Sequence, residues 1–403
     1  MLNGFASVSG LNLLKGKTVG VFFGGNNPEH DISIITGSFV ISEFKKAGIS
    51  VEAIYVDESG KFYLDEKLSE LKFFKDDYKE KLSGLKKYSL NLKNQKTLKF
   101  ESSSFFGTDV KEIDFAFPAF HGINGEDGTI QGLFEFFSIP YAGCGIYASS
   151  TAINKDKTKK MFRANNIKTT NFVSASELEF KNDAEIFIQE VNEALTYPVF
   201  VKPTKAGSSI GITKVNNSSE LQNAIELGFS YDDEVLVENG VEYIRDLTCC
   251  VISDGKKIIA SEVQEALFED GFLNYEDKYL KDGGTQLGSE ESAIVIPAKI
   301  TEEQKQEIQL LSVKIFKNLD ANGIARVDFL LNEHSGEIYA NEVNTLPGTI
   351  YHHLWEKSGM NTEELLSIIV LDGFMRYQSK NKSNIKFESS VLSDAQSLKL
   401  NFR

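Results

Sequence analysis

No stretch of this chain stays apolar for the roughly 18 residues that a membrane-spanning helix requires. The opening MLNGFASVSGLNLLKGK also lacks the sustained apolar core of a secretory signal. Both absences point to a cytoplasmic protein, with residues 1–16 read as a short extension ahead of the fold. Cysteine is scarce as well. Cys144 in a glycine-rich turn and the adjacent Cys249 and Cys250 in a strand-like run form neither a disulfide framework nor a metal-spaced set. Buried thiols in a reducing compartment are the ordinary reading. His334, His352 and His353 lack the partner spacing of a zinc site. Positive charge is also in short supply: 43 Lys and Arg stand against 58 Asp and Glu, a formal net charge of −15. That balance argues against a general affinity for nucleic acid or an anionic membrane, because both reward cationic patches. A local basic pocket for a nucleotide is compatible with it.

What is present is the composition of an ordinary globular protein, 41% apolar and 25% charged over 403 residues, long enough for two or three packed domains. KTVGVFFGG (Lys17 to Gly25) reads as a buried strand feeding a loop. The helically spaced HDISIITGSFVISEFKKAG follows, and then the strand VEAIYVD. This order opens a parallel α/β sheet. Residues 58–112 are rich in Lys, Asp and Ser and read as a solvated elaboration of hairpins and a helix. IDFAFPAFHG restores a clear strand ending at His121. A lysine-bearing helix is expected over 154–166, with a domain boundary near Ser149. YPVFVKPTKAGSSIGITKV reads as an antiparallel hairpin with a Gly/Ser tip. The long aperiodic stretch FEDGFLNYEDKYLKDGGTQLGSEESA reads as a functional flap. Thr301 and Gln304 form a capping box for a helix that ends before Gly323.

The strongest chemical constellation is ARVDF followed by YANEVNTLPG. Strand side chains alternate faces, so Arg326 and Asp328 share one face, as do Glu342 and Asn344 on the next strand. If the faces coincide, the hairpin gathers a cation, two carboxylates and an amide. Hard oxygen ligands of this kind suit Mg²⁺ bound jointly with nucleotide phosphates, and Arg326 would balance charge developing on a transferring phosphoryl group or oxyanion. The competing reading is a solvent-exposed acidic face paired with Arg326, against which the flanking β-branched and aromatic residues count. In KPTKAGSSIG, Gly207 and Gly211 allow close backbone approach, Ser208 and Ser209 add hydroxyls and Lys202 a cation, a set that can cradle phosphate. By itself such a loop is more often a plain turn. It is neither a P-loop nor a dinucleotide fingerprint. GGNNPEHDIS and HGINGEDGTIQG are loops at strand ends, where Glu29 could hold an ammonium and His121 a carboxylate.

Taken together, GGNNPEHDIS, HGINGEDGTIQG with IPYAGCG, KPTKAGSSIG, and ARVDF with NEVNTLPG occur in the order and approximate spacing of D-alanine-D-alanine ligases. The chain resembles that family, within the ATP-grasp superfamily, over about residues 17–375. The resemblance implies an α/β (α+β) ATP-grasp fold: an N-terminal parallel α/β substrate domain over 17–148, a small central α+β domain over 149–235 and a C-terminal antiparallel-sheet domain over 236–378. A polar tail over 379–403 follows. It implies ATP and two Mg²⁺ ions, Mn²⁺ being the alternative metal, and a homodimer through the first domain. It also implies D-alanine as the substrate, joined through an acyl-phosphate for peptidoglycan precursor synthesis.

Carried over by motif, Lys155 and Lys202 would contact the ATP phosphates, Glu238 and Val241 the adenine and Asp246 the ribose. Gly207 to Gly211, with Ser208 and Ser209, would close over the γ-phosphate. Asp328, Glu342 and Asn344 would hold the metal. Glu29 would bind the first ammonium, and Arg326 with the backbone of Gly348 would stabilise the oxyanion. Lys278 and Tyr279 match the covering flap, with Tyr279 linked to Glu29 and Ser208 and favouring an amine nucleophile. Two departures stand out. VENGVEYIRD is one residue longer than the family pattern and ends in Asp246. After Gly348 only TIYHH precedes Leu354 and Trp355, so the family's usual serine for the second substrate is absent, and Tyr351, His352 or His353 is expected to substitute. The alternatives are a ligase with another acceptor, such as D-serine or D-lactate, and an inactive nucleotide-binding homologue.

Overall fold

The computed structural model describes residues 9–91, 97–104, 107–267 and 294–382. Its strands fall into three sheets. The first contains β1 (Thr18–Gly24), β2 (Ser50–Val56), β3 (Phe62–Leu64), β4 (Lys87–Asn91), β5 (Leu98–Ser104), β6 (Gly107–Ile113) and β7 (Phe115–Pro118), in the order β6-β5-β4-β3-β2-β1-β7. β1 pairs in parallel with β2 and β7, and the helix His30–Lys46 makes the crossover. Gly37 lets that helix sit close on β1, since a Cβ there would stand 2.5 Å from the Phe23 ring.

The parallel part is only those three strands. Residues 58–112, expected as a solvated elaboration of hairpins and a helix, do form antiparallel hairpins through β3 to β6 and the helix Tyr78–Ser83, but the hairpins extend the first sheet and add to its core rather than standing in solvent. Their apolar side chains explain it: Leu64, Tyr88, Leu98, Phe100 and Ile113 bury against Phe22 and Ile54 in one cluster.

β8 (Phe172–Ser176), β9 (Val199–Pro203), β10 (Thr213–Val215) and β11 (Glu234–Asn239) form an antiparallel sheet in the order β10-β9-β11-β8. The expected boundary between residues 235 and 236 falls inside β11, which belongs wholly to this sheet through its pairing with β8 and β9. The third sheet, β14-β13-β12-β15-β16, comprises β12 (Ile244–Ser253), β13 (Ile258–Ala266), β14 (Ile294–Val295), β15 (Ile324–Asn332) and β16 (Ile338–Asn344). The helix Glu302–Asn318 packs on it, starting at a capping box in which Thr301 and Gln304 bond each other's backbone N–H at 3.0 and 3.2 Å.

The chain ends do not behave as free appendages where they are described. Gly10–Leu14 forms a 3₁₀ turn docked on the helix Thr362–Lys382, with Leu11 and Leu14 buried and the Gly10 N–H donating to Ser367 Oγ (2.8 Å). That last helix runs four residues past the expected end of its domain at 378. Its apolar side chains join Trp355 and the β1 strand in one core shared by the first and third sheets. Cys144, Cys249 and Cys250 are all free and buried. Among the described residues no helix is long and apolar enough to cross a membrane.

Candidate active site

The second and third sheets face each other across a cavity of about 570 Å³. One end is walled by Pro198, Phe200, Ile212, Ile244 and Leu330, and the other by Lys155, Lys202, Arg326, Asp328 and Glu342. A planar apolar group and a polyanion could each find their own surface in it. Val241 and Asp246 also line it.

The cationic end is built from the N-terminus of the helix Lys155–Ala164 and from β9 and β11. Asn154 caps that helix, accepting from the Lys157 N–H (3.0 Å), while the Lys155 N–H donates to the Thr204 carbonyl (2.9 Å), which seats the helix on the sheet. Lys155 Nζ donates to the Ala206 carbonyl (2.7 Å) and stands 3.8 Å from Glu342. Lys159, four residues on and so on the same helix face, reaches Glu238 (2.7 Å) with Thr169 and Thr170 at 2.9 and 3.0 Å. Glu238 also pairs with Lys202 and accepts from Thr170 (2.5 Å). Burial alone would raise the Glu238 carboxyl, but the two ammonium groups outweigh it and hold it well below the usual carboxylate range. Both carboxylate oxygens are thus committed to the protein. Sequence reasoning assigned no role to Lys159; its i,i+4 spacing from Lys155 was the available signal.

The hairpin β15-β16 brings its four polar side chains together. Asp328 lies opposite Glu342 and Arg326 opposite Asn344, and directly opposed residues of an antiparallel pair share a face. Arg326 donates to Asp328 through Nε (3.0 Å) and the guanidinium tip (2.9 Å). Thr248 Oγ1 and Asn344 Nδ2 also donate to Asp328, at 2.8 and 3.1 Å. Arg326 and Asp328 are 5% and 7% exposed, which decides against a solvated acidic face. Among the described residues no three His, Cys, Asp or Glu side chains converge as a metal cage. Asp328 and Glu342, opposed on the hairpin, instead form an open carboxylate pair, to which Asn344 adds an oxygen once its amide, here donating to Asp328 through Nδ2, turns over. Such a set fits Mg²⁺ whose remaining ligands are phosphate oxygens.

A second, smaller cavity adjoins the first, sharing Lys155, Gly207, Ser208, Arg326 and Glu342, and is lined further by Glu29, His121, Glu126, Asn344 and Gly348. Ser208 donates to Glu29 across 179 residues of sequence. Gly207 makes room for this, since a Cβ there would stand 2.6 Å from Glu29 Oε2. Ser209 lines the larger cavity. His121 Nε2 lies 2.8 Å from Thr36 Oγ1, which itself accepts from the Thr349 N–H (3.1 Å). The ring also bonds the Leu346 backbone, and burial together with Arg326 pulls it down to about 4. His121 therefore lines the pocket as a neutral ring bonded within the protein.

Glu126, unremarked in the sequence, accepts from the Gly122 and Leu346 N–H groups, both at 3.0 Å. Burial and the Glu29 carboxylate push it up to about 7. The sequence signal was its place inside HGINGEDG. Tyr351 lines the larger cavity. His352 is not brought to either cavity: it stacks on Phe39 with centroids 4.4 Å apart. His353 lies behind Tyr351, bonded to Gln264 (2.8 Å). Lys278 and Tyr279 lie outside the described residues.

Two family models match this chain, D-ala D-ala ligase N-terminus over residues 18–144 and D-ala D-ala ligase C-terminus over residues 161–371. The D-alanine--D-alanine ligase of Thermosipho africanus is 36% identical over 375 residues, covering 93% of this chain and 97% of its own length. Among solved structures, the D-alanine-D-alanine ligase of Coxiella burnetii superposes with a TM-score of 0.76 at 25% identity, covering 91% of this chain and 96% of that one. The VanG D-Ala:D-Ser ligase of Enterococcus faecalis gives 0.73 at 31% identity, covering 90% and 99%.

Proposed function

This chain belongs to the D-alanine-D-alanine ligase family, and from that membership we propose that it joins two D-alanine molecules at the expense of ATP, through an acyl-phosphate. The observation that carries the reading is the convergence of Lys155, Lys202, Arg326, Asp328 and Glu342 in a cavity that also offers the apolar surface of Phe200, Ile244 and Leu330. The carboxylate of the first D-alanine attacks the γ-phosphate. The amine of the second then displaces phosphate from the acyl carbon, leaving dipeptide, ADP and inorganic phosphate.

Lys155 and Lys202 hold the phosphates, and the loop Gly207 to Gly211 closes over them. Glu238, with both oxygens engaged, fixes Lys202 and Lys159, so its backbone and Val241 are left to meet the base while Asp246 meets the ribose. Two Mg²⁺ ions held by Asp328, Glu342 and Asn344 with phosphate oxygens would supply neutralisation of the charge being transferred. Glu29 binds the ammonium of the first D-alanine in the smaller cavity. Arg326 and the Gly348 backbone receive the tetrahedral oxyanion, and the Ser208 to Glu29 bond ties phosphate loop to substrate pocket. Tyr351 meets the second substrate. Exposed Phe136 and Tyr147, 81% and 60% accessible on the first domain, support a homodimer through that face, which sedimentation equilibrium would show.

The 31% identity to a D-Ala:D-Ser ligase favours one second reading, in which D-serine is the acceptor. ADP release measured with ATP, Mg²⁺ and D-alanine, alone and with D-serine or D-lactate, tests both. The expected outcome is the highest kcat/KM with D-alanine as acceptor. Preference for D-serine would select the second reading, and no release with any of them would overturn both.

A further inference from the structure

After Gly348 the backbone passes through three consecutive left-handed residues, Thr349, Ile350 and Tyr351, with φ of 44°, 51° and 52°. Residues other than glycine rarely adopt this region, and a β-branched one is an outlier there. Such strain persists where the surroundings over-determine it. The Thr349 N–H is held by Thr36. At the other end the Tyr351 ring is 2% exposed, with its centroid 5.2 Å from the Arg326 guanidinium carbon.

The Tyr351 hydroxyl lies 3.5 Å from Gln264 Nε2, and Gln264 Oε1 lies 2.8 Å from His353 Nε2. An amide oxygen only accepts, so His353 carries its proton on Nε2. Its Nδ1 is buried without a partner among the described residues, which suits a bare nitrogen better than a second N–H. Burial, with His352 and Arg326 nearby, pulls the ring down to about 4, so at neutral pH it is uncharged. With Oε1 committed to His353, Gln264 presents its NH₂ group to Tyr351. The phenol oxygen therefore accepts, and its own proton is left to donate.

We infer that Gln264 and His353 are positioning residues that fix Tyr351 as a hydroxyl donor into the cleft, where it receives the carboxylate of the acceptor amino acid. The inference rests on the ligase reading above and names what sets the polarity of the acceptor site. A hydroxyl donor on a ring packed against a guanidinium favours a carboxylate, so the acceptor enters with its carboxylate toward Tyr351 and its amine toward the acyl carbon.

Steady-state kinetics resolving the two D-alanine KM values, on Tyr351→Phe, Gln264→Glu and the double variant, test it. Glu at 264 would accept from both His353 and Tyr351 and so capture the phenol proton. Each single change is expected to raise the second-site KM on the order of ten- to a hundredfold, with the ATP KM and the first-site KM within about twofold of the parent and the double variant no worse than the poorer single. A second-site KM within about twofold for Gln264→Glu, or effects that multiply in the double variant, would overturn the inference. His353→Phe repeats the test without a buried charge: a rise confined to the same KM supports it and no change refutes it. A parent enzyme with no D-alanine-dependent ADP release would instead overturn the ligase reading, and this inference with it.

Discussion

Glu238 is 2% exposed and faces two ammonium groups, one of them, on Lys159, 1% exposed. Replacing it with Ala strands both cations in a buried setting, a change that costs roughly 3–5 kcal/mol when one partner of a buried pair is removed. Urea unfolding of Glu238→Ala at neutral pH should show a loss of that order, and Glu238→Gln a smaller one. Glu126 supplies a pH signature. Its carboxyl rises from an ordinary 4.5 to about 7 in the fold, through burial and the Glu29 charge. Between those values the folded chain holds a proton that the unfolded chain has released, so stability falls as pH climbs through this window and levels off above it. The Tm of Glu126→Gln should therefore gain on the parent between about pH 5 and pH 7; a constant offset would contradict the assignment. Alternation alone put Arg326 with Asp328 and Glu342 with Asn344. What it could not supply was register, because a one-residue slip would turn one pair to the opposite face. Lys159 escaped notice for a different reason: one lysine among several on a polar helix carries no mark of burial until the helix is docked.

At the scale of elements, the capping box at Thr301, the first helix and the Gly/Ser hairpin were legible because each is written in local spacing. That the hairpins expected within 58–112 would join the first sheet and its core was not, since their buried residues are too sparse and too often interrupted to mark a core face. The N-terminal 3₁₀ turn was missed because its anchors, Leu11 and Leu14, find their partners on a helix more than 350 residues away. Its docking is testable. Leu14 is 1% exposed, so Leu14→Ala should destabilise the protein by about 2–5 kcal/mol in urea unfolding. A change near zero would mean that the turn contributes nothing to the fold.

For the whole molecule, the smaller cavity is a junction. Glu126, His121 and Thr36 from the first domain bond the 346–349 segment that follows the third sheet, while Ser208 from the second sheet's loop reaches Glu29. Four motifs far apart in sequence pointed to one site because each sits at the end of a strand or hairpin facing that junction. Nucleotide binding should accordingly stabilise the assembled cleft by mass action. A non-hydrolysable ATP analogue should raise Tm with Mg²⁺ present, and chelating the metal should remove most of that rise. The central claim, transfer of phosphate to the D-alanine carboxylate before the peptide bond forms, is tested most directly with D-alanine labelled with ¹⁸O in its carboxylate. One labelled oxygen should appear in the inorganic phosphate for each dipeptide made, alongside ADP. Unlabelled phosphate, or AMP in place of ADP, would contradict it.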